Sequence, residues 1–476
     1  MADKLTYRSE DYSKWYNELV LRAELADYSP VRGSMVIRPY GYTLWENVQA
    51  GLDRRFKATG HQNAYFPLFI PMSFLQKEQE HIEGFSPELA VVTHAGGEQL
   101  EEPLVVRPTS ETIIGHMYAQ WIKSYRDLPV LINCWNNVVR WELRTRLFLR
   151  TAEFLWQEGH TAHATAKEAE AETVQMLNVY ADFAINDAAI PVIRGRKSES
   201  EKFAGAVRSY TIEAMMGDKK ALQSGTSHFL GQNFARAFDI KYLSKTNELE
   251  FVWTTSWGLS WRMIGGIIMV HGDDQGLKLP PKLASIQAVI VPIFKNDDEE
   301  SQVMPVAEQL CQQLAETVRV KLDDREETPG FKFNDWEMRG VPLRIEVGPK
   351  DVEKDTVVFA RRDLAGKEGK SFVPQAGVAE AARSILATIQ SDMLQHATEF
   401  RDANIFEPES YDDFKAIVEN SFARAWWCGE QQCEAEIKED TKATTRCIPL
   451  EQPGGSGVCI HCSKPATEMA IFAKSY

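Results

Sequence analysis

The sequence predicts an α+β fold. An antiparallel sheet with helices packed against it is expected over residues 1–283, a separate α/β domain over 284–400, and a small cysteine-bearing domain over 401–476. Three observations carry this expectation. Hairpin-like strand pairs with few crossover helices fill the N-terminal part. After the two prolines of Lys278–Leu283, strands and helices alternate as in a partly parallel sheet. Five of the seven cysteines lie beyond residue 427. The length of 476 residues itself suggests about three domains.

In chain order, Tyr42 to Thr59 predicts an amphipathic helix, because Leu44, Trp45, Val48, Leu52 and Phe56 share one face and Gly60 stops it. Asn63–Ile70 reads as a buried strand. Thr109-Ser110-Glu111 follows the strand-like run LVVRP, where it could simply cap a helix continuing through Ile113 to Trp121. Asn137–Glu142 and Glu153–Ala162 read as strands joined by an arginine-rich loop, Arg144 to Arg150. Thr165 and Glu168 form a capping box that opens a long helix to about Asp187. Tyr210–Met216 and Ala221–Phe229 flank a Gly-Asp-Lys-Lys turn and predict a hairpin. Glu250–Trp257 is a further strand, followed by an apolar helix from about Leu259 to Val270. Two prolines in Lys278–Leu283 cannot continue that helix and mark a linker. Beyond it, strands are expected at Ala288–Ile293, Val318–Leu322, Val341–Val347 and Thr356–Arg361, with helices near 301–317, 328–339 and 378–398.

Composition narrows the function classes. With 44% hydrophobic and 25% charged residues, the chain is neither disordered, collagen-like nor disulfide-stapled. Its longest apolar stretches fall well short of the ~20 residues needed to span a bilayer, and the N-terminus has no apolar signal region. A cytoplasmic protein with no membrane partner is expected. A net charge of −15 lowers the expectation of a nucleic-acid partner. Between Arg194 and Lys245, however, ten Lys/Arg face five Asp/Glu, so local basic surface survives.

Cys428-x4-Cys433 and Cys459-x2-Cys462 are two short-spaced pairs 25 residues apart, each suited to clamp one side of a tetrahedral zinc. Four thiolates leave no open position, so the site is expected to be structural and to help fold a tail too small for its own core. Cys447 and His461 are spare donors. A second constellation comprises Arg140, Glu142, Arg150, Thr151 and Arg262. Arginines converging over a sheet suit a triphosphate, although solvated surface arginines are the commoner arrangement. Trp156, Glu158 and His160 alternate along one strand and share a face: an aromatic wall, a carboxylate and an imidazole. The small residues of Gln223-Ser-Gly-Thr226-Ser-His228 would let a ligand approach the backbone. Neither a dinucleotide loop nor a P-loop is present.

These stretches carry a resemblance. ADYSPVRGSMVIRPYGYTLWENVQ (26–49), VVRPTSETIIG (105–115), RWELRTRLFLRTAEFLWQEGHTAH (140–163), ALQSGTSHFLGQNF (221–234) and TTSWGLSWRMIGGIIMVHGDD (254–274) resemble prolyl-tRNA synthetases in their archaeal- and eukaryotic-type form. So do GFKFNDWEMRGVPLRIEVGPKD (330–351) and the ending IFAKSY, so the resemblance spans essentially the whole chain.

It implies a class II aminoacyl-tRNA synthetase sheet, an anticodon-binding α/β domain and a zinc domain. The helix and strand around Pro67 would form a homodimer. By similarity, Arg140 grips the α-phosphate and the proline carboxylate. Glu142, Arg150, Thr151, Gln223, Thr226, Ser260 and Arg262 would hold ATP and its Mg2+. Thr109, Glu111, Trp156, Glu158, His160, His228 and Ser256 would form the proline pocket. Glu337, Arg344 and Lys350 lie in the stretch resembling the anticodon module, where salt bridges on a solvated face are an equal reading. The implied partners are L-proline and tRNA(Pro), not DNA.

Proline is a rigid ring with a secondary ammonium, so an apolar wall at Trp156 and a buried acceptor at Glu111 suit it. Cys134 has no metal-binding neighbours and reads as core. Only 122 positions separate Arg140 from Arg262, too few for a large editing insertion. Two other readings remain: a non-catalytic RNA-binding paralogue, and a class II enzyme of different amino-acid specificity. The apolar ending would also suit docking of Tyr476 on the catalytic domain.

Overall fold

The computed structural model describes residues 4–81, 89–142 and 144–476. Among them, eleven strands form one sheet. Its centre is antiparallel, in the spatial order Val192–Arg196, Arg208–Met215, Ala221–Gly231, Trp253–Ser260, Glu153–His163, Val130–Val139. Helices Pro39–Ala58 and Ala166–Asn186 cover one face. The first begins at a proline, whose missing N–H would be unpaired in a first turn anyway, and buries Leu44, Trp45, Val48, Leu52 and Phe56. The second opens with the expected capping box, in which Thr165 accepts from the Glu168 N–H and Glu168 accepts from the Thr165 N–H. Trp257 lies under these helices against Phe56 and Tyr180. A Cβ on Gly159 would fall 2.1 Å from that indole, so only glycine fits beside it.

Several elements depart from expectation. Asn63–Ile70 is not one buried strand: Gln62–Asn63 and Phe69–Pro71 are short strands of different sheets, Pro67 interrupts the run, and Tyr65 and Phe69 are exposed. The strand expected at Asn137–Glu142 is Val130–Val139, which places Arg140 and Glu142 beyond its end. Glu250–Trp257 divides into Leu249–Phe251, paired with Lys241–Leu243, and Trp253–Ser260 of the main sheet. The stretch EFVWTTSW holds no Gly or Pro that would mark that change of partner. Lys278–Leu283 is no free linker, because Leu279 and Leu283 join the core beneath the main sheet and the Leu279 N–H donates to the Gly340 carbonyl at 3.2 Å.

The α/β region has the strand order Val320–Leu322, Ala288–Pro292, Leu343–Val347, Thr356–Arg361, Lys370–Pro374, parallel across the first three and antiparallel thereafter. Helices Asp297–Ala315 and Val378–Asp402 share its main core. The C-terminal segment has a core of its own, with Phe414, Val418, Trp427, Ile437 and Phe472 clustered, contrary to the expectation of a tail too small for one. Its strand Thr444–Pro449 pairs with Val192–Arg196 and so joins the C-terminal strands to the main sheet. Among the described residues, no helix is long and apolar enough to cross a membrane.

Candidate active site

The uncovered face of the sheet carries the chemistry. Alternation points Trp156, Glu158 and His160 to it. The register then builds a row across four strands: His160 opposite Ser256, Ser256 opposite His228, and His228 opposite Ser209. One step along, Gly258 sits between Glu158 and Thr226. Gln223 is three residues from Thr226 and in a regular strand would face the other way. A bulge restores it: Ile212 pairs with Gly225 and Glu213 with Gln223, leaving Ser224 extra. The resulting cavity of about 260 Å³ is lined by Thr109, Glu111, Arg140, Trp156, Glu158, His160, Gln223, Thr226, His228 and Ser256.

Glu158 is the hub. It accepts from Asn136 Nδ2 at 2.7 Å, from the Ser110 hydroxyl, and from His160 Nε2 at 2.9 Å. Burial would raise its carboxyl, but His160 and these donors hold it below the usual range. Burial would lower His160, and Glu158 with Glu111 reverses that. His228 is the opposite case. Burial, then the charges of His160 and Lys197, push it down to about 3, and its Nδ1 meets the Ser209 hydroxyl at 2.8 Å. Thr109 donates to Glu111. Thr109 and Ser110 thus turn their hydroxyls to carboxylates, and the helix Glu111–Trp121 has no side-chain cap.

Arg140 lies over the rings of Trp156 and Phe154, at 5.4 and 5.5 Å, with its Nε on the Pro108 carbonyl. Arg262 opens the helix Arg262–His271 and donates its Nε to the Leu149 carbonyl at 2.9 Å. Among the described residues, no hydrogen bond occupies the terminal nitrogens of either guanidinium. Burial, then the charges of Arg140 and Arg150, push Arg262 down to about 10. Crowded half-buried cations with unused donors are poised for a polyanion. Glu142 and Arg150 face each other at 3.7 Å across the loop. Ser260 lies opposite Trp156, with its hydroxyl 3.3 Å from the Arg262 N–H. Thr151 departs from the set: it lines a different cavity, beside Arg146 and Ser13, and its buried hydroxyl has no partner.

Sequence reasoning missed Ser110 and Asn136, which fix Glu158, and Lys197 and Phe203, which line the cavity. Asn136 was findable, since it stands opposite Trp156 and accepts the indole N–H at 2.6 Å. The sequence left open whether the C-terminus docks, and in the structure it does. Tyr476 donates its hydroxyl to Asp218 at 2.5 Å and lies beneath Arg146.

The four predicted cysteines converge, every sulfur within 4.8 Å of the others, with Cys433–Cys459 and Cys428–Cys462 at 3.6 Å. Thiolates on a tetrahedral zinc stand about 3.8 Å apart, so the set fits. Cys447 is not among them; it is buried where Gly195 lacks the Cβ that would strike it at 2.5 Å. His461 Nδ1 is 3.4 Å from Cys433 Sγ. Cys134 is core, its thiol pushed up to about 12 by burial. In the α/β region Arg344 bonds Glu337 at 2.9 Å and Glu346 at 3.0 Å, over the ring of Phe333. Lys350 is exposed on the helix Pro349–Glu353 and does not join that network among the described residues.

Comparison with known proteins agrees with this geometry. Family profiles match for the class II tRNA synthetase core domain (G, H, P, S and T) over residues 93–271, an anticodon binding domain over 287–373, and the prolyl-tRNA synthetase C-terminal domain over 411–476. The chain is 57% identical over 475 residues to the proline–tRNA ligase of Roseiflexus castenholzii, covering 99% of each. It is 56% identical to the chloroplastic/mitochondrial proline–tRNA ligase of Arabidopsis thaliana, covering 99% of this chain and 88% of that one. The crystal structure of prolyl-tRNA synthetase from Cryptosporidium parvum complexed with halofuginone and AMPPNP superposes with a TM-score of 0.93 at 38% identity, covering 99% of both chains. Full-length identity, matching domains and a pocket of this composition together establish that the chain belongs to the prolyl-tRNA synthetase family.

Proposed function

We propose that the chain activates L-proline with ATP and transfers it to tRNA(Pro), and that the cavity over the open sheet face is where adenylation occurs. The observation that carries this is the juxtaposition of two arginines with unused donors and a buried carboxylate–imidazole pocket walled by Trp156. The proline ammonium suits Glu111, and its ring suits Trp156. Glu158, His160, Thr109, His228 and Ser256 complete the pocket, and the unpartnered Ser256 hydroxyl is available to a ligand.

The proline carboxylate attacks the α-phosphorus directly, forming the mixed anhydride and releasing pyrophosphate. No general base is required. Arg140 orients the carboxylate and stabilises charge at the α-phosphate, and Arg262 does so towards the γ-phosphate. Arg150, Gln223, Thr226 and Ser260 hold the nucleotide. Glu142 is the carboxylate placed to hold the Mg2+ that would neutralise phosphate charge. The four cysteines hold a structural Zn2+ that braces the C-terminal fold.

The same reading assigns residues 1–283 to catalysis, 284–400 to the anticodon through Glu337, Arg344 and Lys350, and 401–476 to the zinc domain. A cytoplasmic homodimer is inferred; exposed Tyr65 and Phe69 beside the sheet edge support the dimer. The archaeal/eukaryotic-type form without editing is supported by the compact run between Arg140 and Arg262.

The test is ATP–pyrophosphate exchange with each of the twenty amino acids. Exchange with proline far above all others is expected. No exchange from a folded, zinc-loaded sample would transfer the weight to an RNA-binding paralogue.

A further inference from the structure

We propose that the C-terminal domain holds one wall of the amino-acid pocket in place, with Glu434 and Arg446 as positioning residues. This rests on the assignment of the cavity to proline. The wall is the connection 197–203 between the strands Val192–Arg196 and Arg208–Met215, which contributes Lys197, Glu201 and Phe203 to the cavity. Phe203 lies 4.7 Å from the ring of His228, so the position of this segment sets that side of the pocket.

Two buried links run from the C-terminal domain to the beginning of the wall. Glu434, on the helix Gln431–Thr441, accepts from the Ser198 hydroxyl at 2.7 Å. The same hydroxyl accepts from the Glu201 N–H at 3.3 Å. Arg446, on the strand Thr444–Pro449, grips one oxygen of Glu213 through two nitrogens at 3.0 and 3.1 Å. The other oxygen of Glu213 receives Lys197 Nζ at 3.0 Å. Buried carboxylates are costly unless paired. Glu213 is fully paired, but the second oxygen of Glu434 is buried with no partner. A fold that needed only packing at this junction would have no use for such an acid; a fold that must hold Ser198 does.

Arg140 and Arg262 make no hydrogen bond to Ser198, Glu434 or Arg446; the charge of Glu213 does reach Arg262, so the test is made on the Ser198–Glu434 link. Loosening the wall is therefore expected to weaken proline binding while the nucleotide site is spared. The experiment uses the full-length, zinc-loaded protein, with proline affinity measured by calorimetry and KM by pyrophosphate exchange without tRNA. Ser198→Ala and Glu434→Ala should each raise the proline Kd and KM about tenfold, as for loss of one charged hydrogen bond. The KM for ATP should stay within about twofold, the double variant should be no worse than either single one, and Glu434→Gln, which keeps an acceptor, should restore binding. Unchanged proline affinity in Ser198→Ala and Glu434→Ala, or an equal rise in the KM for ATP, would overturn the proposal. Trp156→Ala separates the two readings: if it leaves proline binding intact, the pocket assignment itself fails and the proposal with it.

Discussion

Arg362 grips Asp273 through two parallel hydrogen bonds, at 2.6 and 3.0 Å, where the α/β region meets the end of the catalytic helix Arg262–His271. The same carboxylate receives Lys278 at 3.1 Å and the N–H groups of Gln275 and Gly276. Burial would raise its titration point, but the Arg362 hydrogen bonds and charge outweigh this and hold Asp273 well below the usual carboxylate range. A nominal linker is thereby converted into a fixed joint.

Removing the arginine leaves a half-buried carboxylate without its two guanidinium hydrogen bonds and with only Lys278 as a charged partner. Arg362→Ala should destabilise the protein by about 2–4 kcal/mol, read as a lower thermal midpoint. The pH dependence follows from the depressed value. A group of this kind contributes stability above its unfolded pKa of about 3.9, and the contribution is lost as pH falls through the folded value. The wild type should therefore lose its margin over Asp273→Asn as pH drops below about 4. Parallel curves for the two proteins would contradict the joint.

Arg140 is held by Pro108 and by two aromatic rings, so its planar shape matters as well as its charge. Arg140→Ala should slow pyrophosphate exchange on the order of 10³-fold or more. Arg140→Lys should recover little of it, because an ammonium can neither stack nor fork. Near wild-type exchange in either variant would remove Arg140 from the chemistry.

What was legible in the sequence was what local rules encode. The capping box at Thr165 and Glu168 needs four residues, and the shared face of Trp156, Glu158 and His160 needs only a period of two. The cysteine pairs announce themselves by spacing. What was not legible depends on distant partners. Ser110 looks like a helix cap and instead serves Glu158, 48 residues away. The bulge at Ser224 decides that Gln223 faces the cavity, and nothing in Gln-Ser-Gly-Thr marks it. The pairing of Thr444–Pro449 with Val192–Arg196 joins segments with no common local pattern. The arginines were visible as residues, while their unused nitrogens became visible only once every neighbouring carbonyl was placed.

The cysteine set makes a prediction about the catalytic sheet. Chelation, or Cys459→Ser, should release zinc and lower the thermal midpoint by several degrees. Because Thr444–Pro449 extends the catalytic sheet, the loss should also reduce pyrophosphate exchange, although the cysteines lie outside the cavity. Zinc loss with full exchange activity would show that the tail's own core, built on Phe414, Trp427 and Phe472, suffices.

The run between the Arg140 loop and Arg262 is occupied by structure the catalytic sheet needs. After Glu153–His163 come the covering helix Ala166–Asn186, the strands Val192–Arg196, Arg208–Met215 and Ala221–Gly231, the short helix Asn233–Ala237, a small hairpin at Lys241–Leu243 and Leu249–Phe251, and then Trp253–Ser260. Every one belongs to the sheet, to its cover, or to the core beside it. A hydrolytic site for mischarged tRNA needs a second pocket out of reach of the first, because a pocket that accepts proline cannot exclude the smaller alanine by size. From this order of elements we infer that the run holds no second pocket for editing. The pure protein should therefore leave alanyl-tRNA(Pro) intact over a time in which it charges proline many times. Rapid deacylation, measured as free alanine against a spontaneous-hydrolysis control, would mean that the synthetic cavity or another surface edits.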